Sequence, residues 1–161
     1  MHAYHYSRYI FLHNNESSNF AIEQFNLPIK NVTKGLPRKD FYIPGSILRT
    51  ELNISHPIAK GMPKDSIAWF EDSPAFEIGG VQVDKTIAFK DVGVNVIASY
   101  PTDPKQILLS GWALGAEKIA GKAALVEVRM GKGKIVLFGF RPQYLAQSLA
   151  TYPLLFNAIS Q

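Results

Sequence analysis

Two apolar runs near the C-terminus set the hydrophobic pattern of the chain. In the first, Leu125, Val126 and Val128 are interleaved with Glu127 and Arg129. That partial alternation predicts a strand with one buried face. In the second, Ile135, Val136, Leu137 and Phe138 run without a break, which predicts a strand covered on both sides. Gly131 and Gly133 bracket the link between them. Glycine accepts positive φ at little cost, so a tight hairpin turn is expected there. The alternative, a phosphate loop at GKGK, lacks the glycine spacing and the following Ser or Thr, and it leads into a strand rather than a helix.

The rest of the pattern is organised around this hairpin. Tyr9–His13 reads as a first strand, and Ser18 as the N-cap of a short helix over Asn19–Phe25. Phe20, Ile22 and Phe25 would supply that helix's buried contacts, and Leu27-Pro28 ends it. Residues 30–45 form a long connection rich in Pro, Gly and charge. Strands are expected at Ser46–Asn53, Ser66–Phe70, Ala75–Ile78, Val94–Tyr100 and Ile107–Leu109. His56–Met62 is a loop or a single turn, and Gly79–Asp91 is open, with a hairpin as one reading. Gly111–Gly115 opens a short helix to about Ala120, capped by Gly121. The chain closes on a helix over roughly Tyr144–Ile159, either kinked at Pro153 or split there with Pro153 starting a second helix. Leu145, Leu149, Leu154, Leu155, Phe156 and Ile159 form its apolar face. The sum is a mixed α/β domain with more strand than helix.

Composition narrows the function classes. The 161 residues, 47% of them hydrophobic, suffice for one domain with a real core. The formal net charge is +4, but Lys and Arg are scattered rather than gathered on one face with aromatics. Nucleic-acid binding is therefore not expected. No cysteine is present, which excludes disulfides, thiolate zinc sites and a cysteine nucleophile. No apolar run reaches membrane-span length. The N-terminal stretch lacks the apolar core and cleavage site of a signal peptide. The compartment stays open.

Candidate chemistry is sparse. His2, His5, His13 and His56 show no H-E-x-x-H spacing. Ser46 and Ser110 lie beside glycines but outside a G-x-S-x-G elbow. Asp40, Glu71, Asp72 and Asp84 are loop acids that no spacing pairs for acid–base work. Trp69 and Trp112 read as core-filling side chains rather than sugar platforms.

Whole blocks of the chain do carry a resemblance. Residues 20–62 contain FAIEQFNLPIKNVTKG, FYIPGSILRTELN and SHPIAKGMP. Residues 109–143 contain LSGWALGAEKIAGKAALVEVRMGKGKIVLFGFRPQ. These resemble the C-terminal domain of bacterial zinc carboxypeptidase-like proteins, a domain similar to class I glutamine amidotransferases. The resemblance runs from about Tyr9 to the C-terminus. It implies a flavodoxin-like α/β fold, a mixed sheet flanked by helices, with the largely parallel centre usual for such domains. It further implies that residues 1–161 form a single, incomplete domain lacking its first strands.

The same resemblance implies an absence of catalysis. Family members bind zinc in a preceding catalytic domain, and no catalytic zinc ligand is carried over onto this chain. True amidotransferases place a His-Pro-Glu segment after the corresponding late strand, where it activates a cysteine. Here the segment is Arg141-Pro142-Gln143. Arginine stays protonated and cannot act as a base, and glutamine carries no charge. The expectation is a non-catalytic accessory or scaffold domain, not an enzyme, with no cofactor. Its partners would be another copy in a homo-oligomer or an upstream peptidase domain, with neither nucleic acid nor membrane. The alternative is a binding module for a small anion or carbohydrate, using Arg141, Gln143 and Trp112 near the strand ends. An enzyme of another class would need a catalytic pair that the spacing does not offer.

Overall fold

The computed structural model describes residues 10–14, 16–79, 92–145 and 149–160, with side chains from residue 17 onward. The expected open stretch Gly79–Asp91 falls almost wholly outside these residues. Among the described residues, nine strands join in one sheet. They are β1 (Ile10–Asn14), β2 (Ile29–Asn31), β3 (Ser46–Leu52), β4 (Asp65–Phe70), β5 (Phe76–Ile78), β6 (Val92–Ser99), β7 (Leu108–Ser110), β8 (Ala123–Met130) and β9 (Gly133–Phe138). Two helices accompany them, α1 (Glu16–Gln24) and α2 (Tyr152–Ile159).

The order across the sheet is β1-β9-β8-β6-β3-β4, with β7 on β3 and β5 joining β2 to β8. The sheet is mixed, as expected. Its parallel component among the described strands is confined to β1 on β9, which pair from Ile10 with Lys134 to Asn14 with Phe138. Every other pairing is antiparallel, so the largely parallel centre is not found. A short connection explains part of the difference. The link from β8 to β9, Gly131 and Lys132, is too short for a crossover helix, and such a link joins antiparallel neighbours.

The hairpin forms as its pattern requires. Gly131 takes φ +57° in the turn, whereas Gly133 pairs with Met130 inside the ladder at ordinary φ. The alternation of β9 divides the core in two. Val136 and Phe138 join a cluster that includes Leu48, Phe70, Tyr100, Phe140 and Leu154. Ile135 and Leu137 join a cluster on the α1 side with Ala21, Leu27, Ile29 and Phe76. Strand side chains alternate between faces, so β9 is buried on both, as its unbroken apolar run predicts. The same holds for β8. Glu127, read from the sequence on an exposed face, is buried.

Other elements shift for local reasons. The first helix starts at Glu16, so Ser18 lies inside it, buried and with no hydrogen-bond partner for its hydroxyl, rather than capping it. Phe20 points to solvent and Ala21 takes the buried position. The start of the long connection, with Ile29 before it, forms β2, paired with β5. The helix expected from Gly111 shrinks to a 3-10 turn at Ala116–Lys118, because Tyr42 and Leu114 bridge as strand partners just before it. The C-terminal helix is likewise shorter. A 3-10 turn at Leu149–Thr151 leads into α2, with Pro153 in its first turn. Of its expected apolar face only Leu154 is fully buried, while Leu145, Leu149, Phe156 and Ile159 are exposed. No described helix is long and apolar enough to cross a membrane.

Candidate functional site

The segment after β9 is the first place to look. Gly139 lets it pass: a Cβ there would lie 2.6 Å from the Pro74 carbonyl oxygen and 2.9 Å from that of Ala124. The Tyr100 hydroxyl, fully buried and pushed up in pKa by that burial, donates to the Gly139 carbonyl at 3.3 Å. The Arg141 N–H donates to the Trp69 carbonyl at 3.1 Å and ties the segment to β4. Thr151 donates its hydroxyl to the Pro142 carbonyl at 2.7 Å, which fastens the other end.

The Arg141 side chain makes one ion pair and one ring contact within the protein. Its Nε lies 3.4 Å from Glu71 Oε2, an ion pair not aligned as a hydrogen bond. Its guanidinium carbon sits 5.5 Å from the centre of the Tyr144 ring. That ring in turn stacks on Trp69, at 4.8 Å between centroids and 18° between planes. The result is a layered stack of cation, phenol and indole, with one carboxylate neutralising the cation.

The other expected binding residues do not join it. Gln143 is exposed, and Trp112 is 63% exposed rather than core-filling. The Trp112 backbone is held firmly. Its N–H donates to Ser46 Oγ at 2.9 Å, and that hydroxyl donates to its carbonyl at 2.7 Å. Neither residue shares a hydrogen bond or ring contact with Arg141 among the described residues. A concavity of about 400 Å³ between α1 and β2 is lined by Asn19, Ile22, Asn26, Ile29, Lys30 and neighbours, and includes none of the three.

A second centre was missed from the sequence. Glu127 accepts from Arg129 Nε at 2.8 Å and from Asn95 Nδ2 at 3.2 Å, both at Oε1. Its Oε2 lies 3.7 Å from Lys134 Nζ, and its Oε1 lies 3.6 Å from His56 Nε2. Burial alone would raise this carboxyl's pKa. The hydrogen bonds from Arg129 and Asn95, with the charges of His56 and Arg129, outweigh burial and hold it below the ordinary glutamate value. On its other side, His56 Nδ1 accepts from the Ile58 N–H at 3.3 Å, while its buried Nε2 makes no hydrogen bond. It caps the 3-10 turn Pro57–Ala59 that follows. The spacing held one usable signal. Residues i and i+2 of a strand share a face, so Glu127 and Arg129 were placed to pair.

One further spacing bears on metal binding. His13 and Glu16 stand in the H-x-x-E pattern of the carboxypeptidase-like family, which corrects the expectation that no zinc ligand could be matched. They fall at the end of β1 and the start of α1, and their side chains lie outside the description. Among the described residues, no three His, Cys, Asp or Glu side chains converge as a metal site.

Comparison of the whole fold settles its type. A GMP synthase-like protein from Thermoplasma acidophilum superposes with a TM-score of 0.50 at 11% identity, over 97% of this chain and 57% of its own. The fold is of the class I glutamine amidotransferase type. A ThuA-like protein from Bacteroides uniformis gives a TM-score of 0.39 at 15% identity, covering 93% of this chain and 67% of its own. This chain thus spans little more than half the length of the Thermoplasma protein. No family model and no curated protein matches the sequence.

Proposed function

We propose that this amidotransferase-like domain is a non-catalytic accessory or scaffold domain of a zinc carboxypeptidase-like protein. The observation that carries the reading is the fate of Arg141. It follows β9, where amidotransferases keep the histidine of their catalytic segment. Instead of a base, that position holds a permanent cation, paired with Glu71 and laid on Tyr144. Gln143, in place of the glutamate, faces solvent. The sequence offers no cysteine for either to activate. The block resemblance over residues 20–62 and 109–143 supports the link to the carboxypeptidase-like family. Its partners in this reading are another copy of the chain or an upstream peptidase domain.

Two assays on purified protein test the proposal. Glutamine hydrolysis is expected to stay at the uncatalysed rate. Peptides with varied C-terminal residues are expected to stay intact with added zinc. Turnover in either assay that is lost on chelation, or on Arg141→Ala, would overturn it.

A further inference from the structure

His56 stands where three parts of the fold meet. Its backbone leads into the Pro57–Ala59 turn, and its ring lies against Glu127 of β8. The turn that it starts receives α2. The ring is 8% exposed. Its Nδ1 accepts from the Ile58 N–H at 3.3 Å. An imidazole nitrogen that accepts carries no proton, so the ring in this arrangement is neutral and its one proton sits on Nε2. Nε2 faces Glu127 Oε1 at 3.6 Å, too far for a hydrogen bond, and makes none among the described residues.

The turn is the dock for the last helix. Asn157 Nδ2 donates to the carbonyls of Ile58 at 3.0 Å and Lys60 at 2.9 Å. Those carbonyls flank Ala59, and the closed turn sets them side by side. Ile58 therefore joins the two contacts, its N–H held by His56 and its carbonyl by Asn157. Helix α2 has eight residues and no side-chain cap at its own N-terminus. A helix so short depends on its tertiary anchors.

We propose that His56 is a proton-operated latch on α2: the neutral ring closes the Pro57–Ala59 turn and so holds the helix, and the imidazolium releases both. The reason lies in donors and acceptors. A proton on Nδ1 turns the acceptor into a donor aimed at the Ile58 N–H, and two donors cannot share a bond. The turn opens at Ile58, and the carbonyl that holds Asn157 moves with it.

The charges around the ring do not restore the balance. β8 brings Glu127 and Arg129, and β9 brings Lys134. β6 brings the neutral amide of Asn95. α2 has no Asp, Glu, Lys or Arg, and Tyr152 is its one titratable side chain. The segment of the turn itself adds Lys60, which is exposed. Arg129 and Lys134 already flank the Glu127 carboxylate, so pairing a third cation with it offsets little of the lost bond. The docked form thus binds one proton fewer than the released form. Docking weakens as pH falls through the range where imidazoles ordinarily titrate, from about pH 8 to about pH 5.

The inference stands apart from the lack of catalysis, and its test involves no turnover. Amide exchange is followed at about pH 8 and about pH 5, each rate divided by that of the unfolded chain at the same pH. Protection of the α2 amides is expected to fall roughly tenfold in acid, the worth of one cap, while that of β8 and β9 holds. The nitrogen chemical shift of His56 Nδ1, read by NMR on the same samples, is expected to show the proton arriving over that range. His56→Asn puts a carboxamide oxygen in the place of Nδ1, an acceptor that caps a turn and takes no proton. It is expected to keep α2 equally protected at both pH values, and His56→Ala to lose that protection at both. Full α2 protection in wild type with Nδ1 protonated would overturn the latch. So would an equal acid loss in His56→Asn, or an Nδ1 that takes no proton down to about pH 5.

Discussion

Glu127 holds four basic or amide side chains around one carboxylate, and two of them explain its place. Arg129 and Lys134 are direct partners across the β8/β9 ladder. Like charges in that position repel. A carboxylate beneath them, on the next position of the same face, offsets the repulsion. Glu127→Gln is expected to cost about 1–3 kcal/mol at neutral pH, since Arg129 can turn to solvent but Lys134, 18% exposed, loses its counter-charge. The pH dependence follows from the lowered pKa. A carboxyl depressed in the folded state stabilises fully above its unfolded pKa, and that contribution fades as pH falls through the folded value. Denaturant titrations are thus expected to show the gap between wild type and Glu127→Gln closing in acid, below the ordinary glutamate range. Arg141 is a gentler case. Its pair with Glu71 is about a third exposed on both sides, so screening leaves little of the Coulomb term. With the Tyr144 contact included, Arg141→Ala is expected to cost about 1 kcal/mol. Melts with and without a panel of phosphates and carboxylates should shift equally in mutant and wild type. Ligand stabilisation lost only in the mutant would instead mark an anion site.

At the scale of elements, the helix α2 depends on a turn far away in sequence. Its hook is Asn157, which reaches two carbonyls around the Pro57–Ala59 turn, and the turn is itself capped by His56. Asn157→Ala is expected to cost about 1–2 kcal/mol. Amide exchange in α2 should accelerate by more than exchange in β8 and β9, and uniform acceleration would show that the helix is not a separable unit. The sequence told which elements exist more readily than what they face. The hairpin was legible because glycine and a change of period mark it. Leu149, Phe156 and Ile159 were legible as an apolar face, but not as an outward one. Periodicity reports that a face is apolar and is silent on what covers it. Glu127 was misplaced for the converse reason. Alternation suggests one polar face, and only the packing of the Pro57–Ala59 region and α2 shows that this face is covered too. Trp112 failed in a third way: Ser46 holds its backbone at the surface, where the ring is exposed.

For the whole molecule, the pairing of β1 with β9 has a consequence in time. Ile10 is matched with Lys134 and Asn14 with Phe138, so the first described strand finds its partner among the last. A parallel pair has no local turn to bring its ends together. Until β9 exists, β1 has nothing in the described sheet to bond with. A chain emerging from the ribosome would carry that strand unpaired until β9 had been made. It could close the sheet only after the β8/β9 hairpin had been released. The antiparallel pairs, β3 with β4 and β8 with β9, close over short stretches and can form as soon as they appear. Among the described strands, closing β1 on β9 is therefore a late step, and its high contact order makes it the slow one.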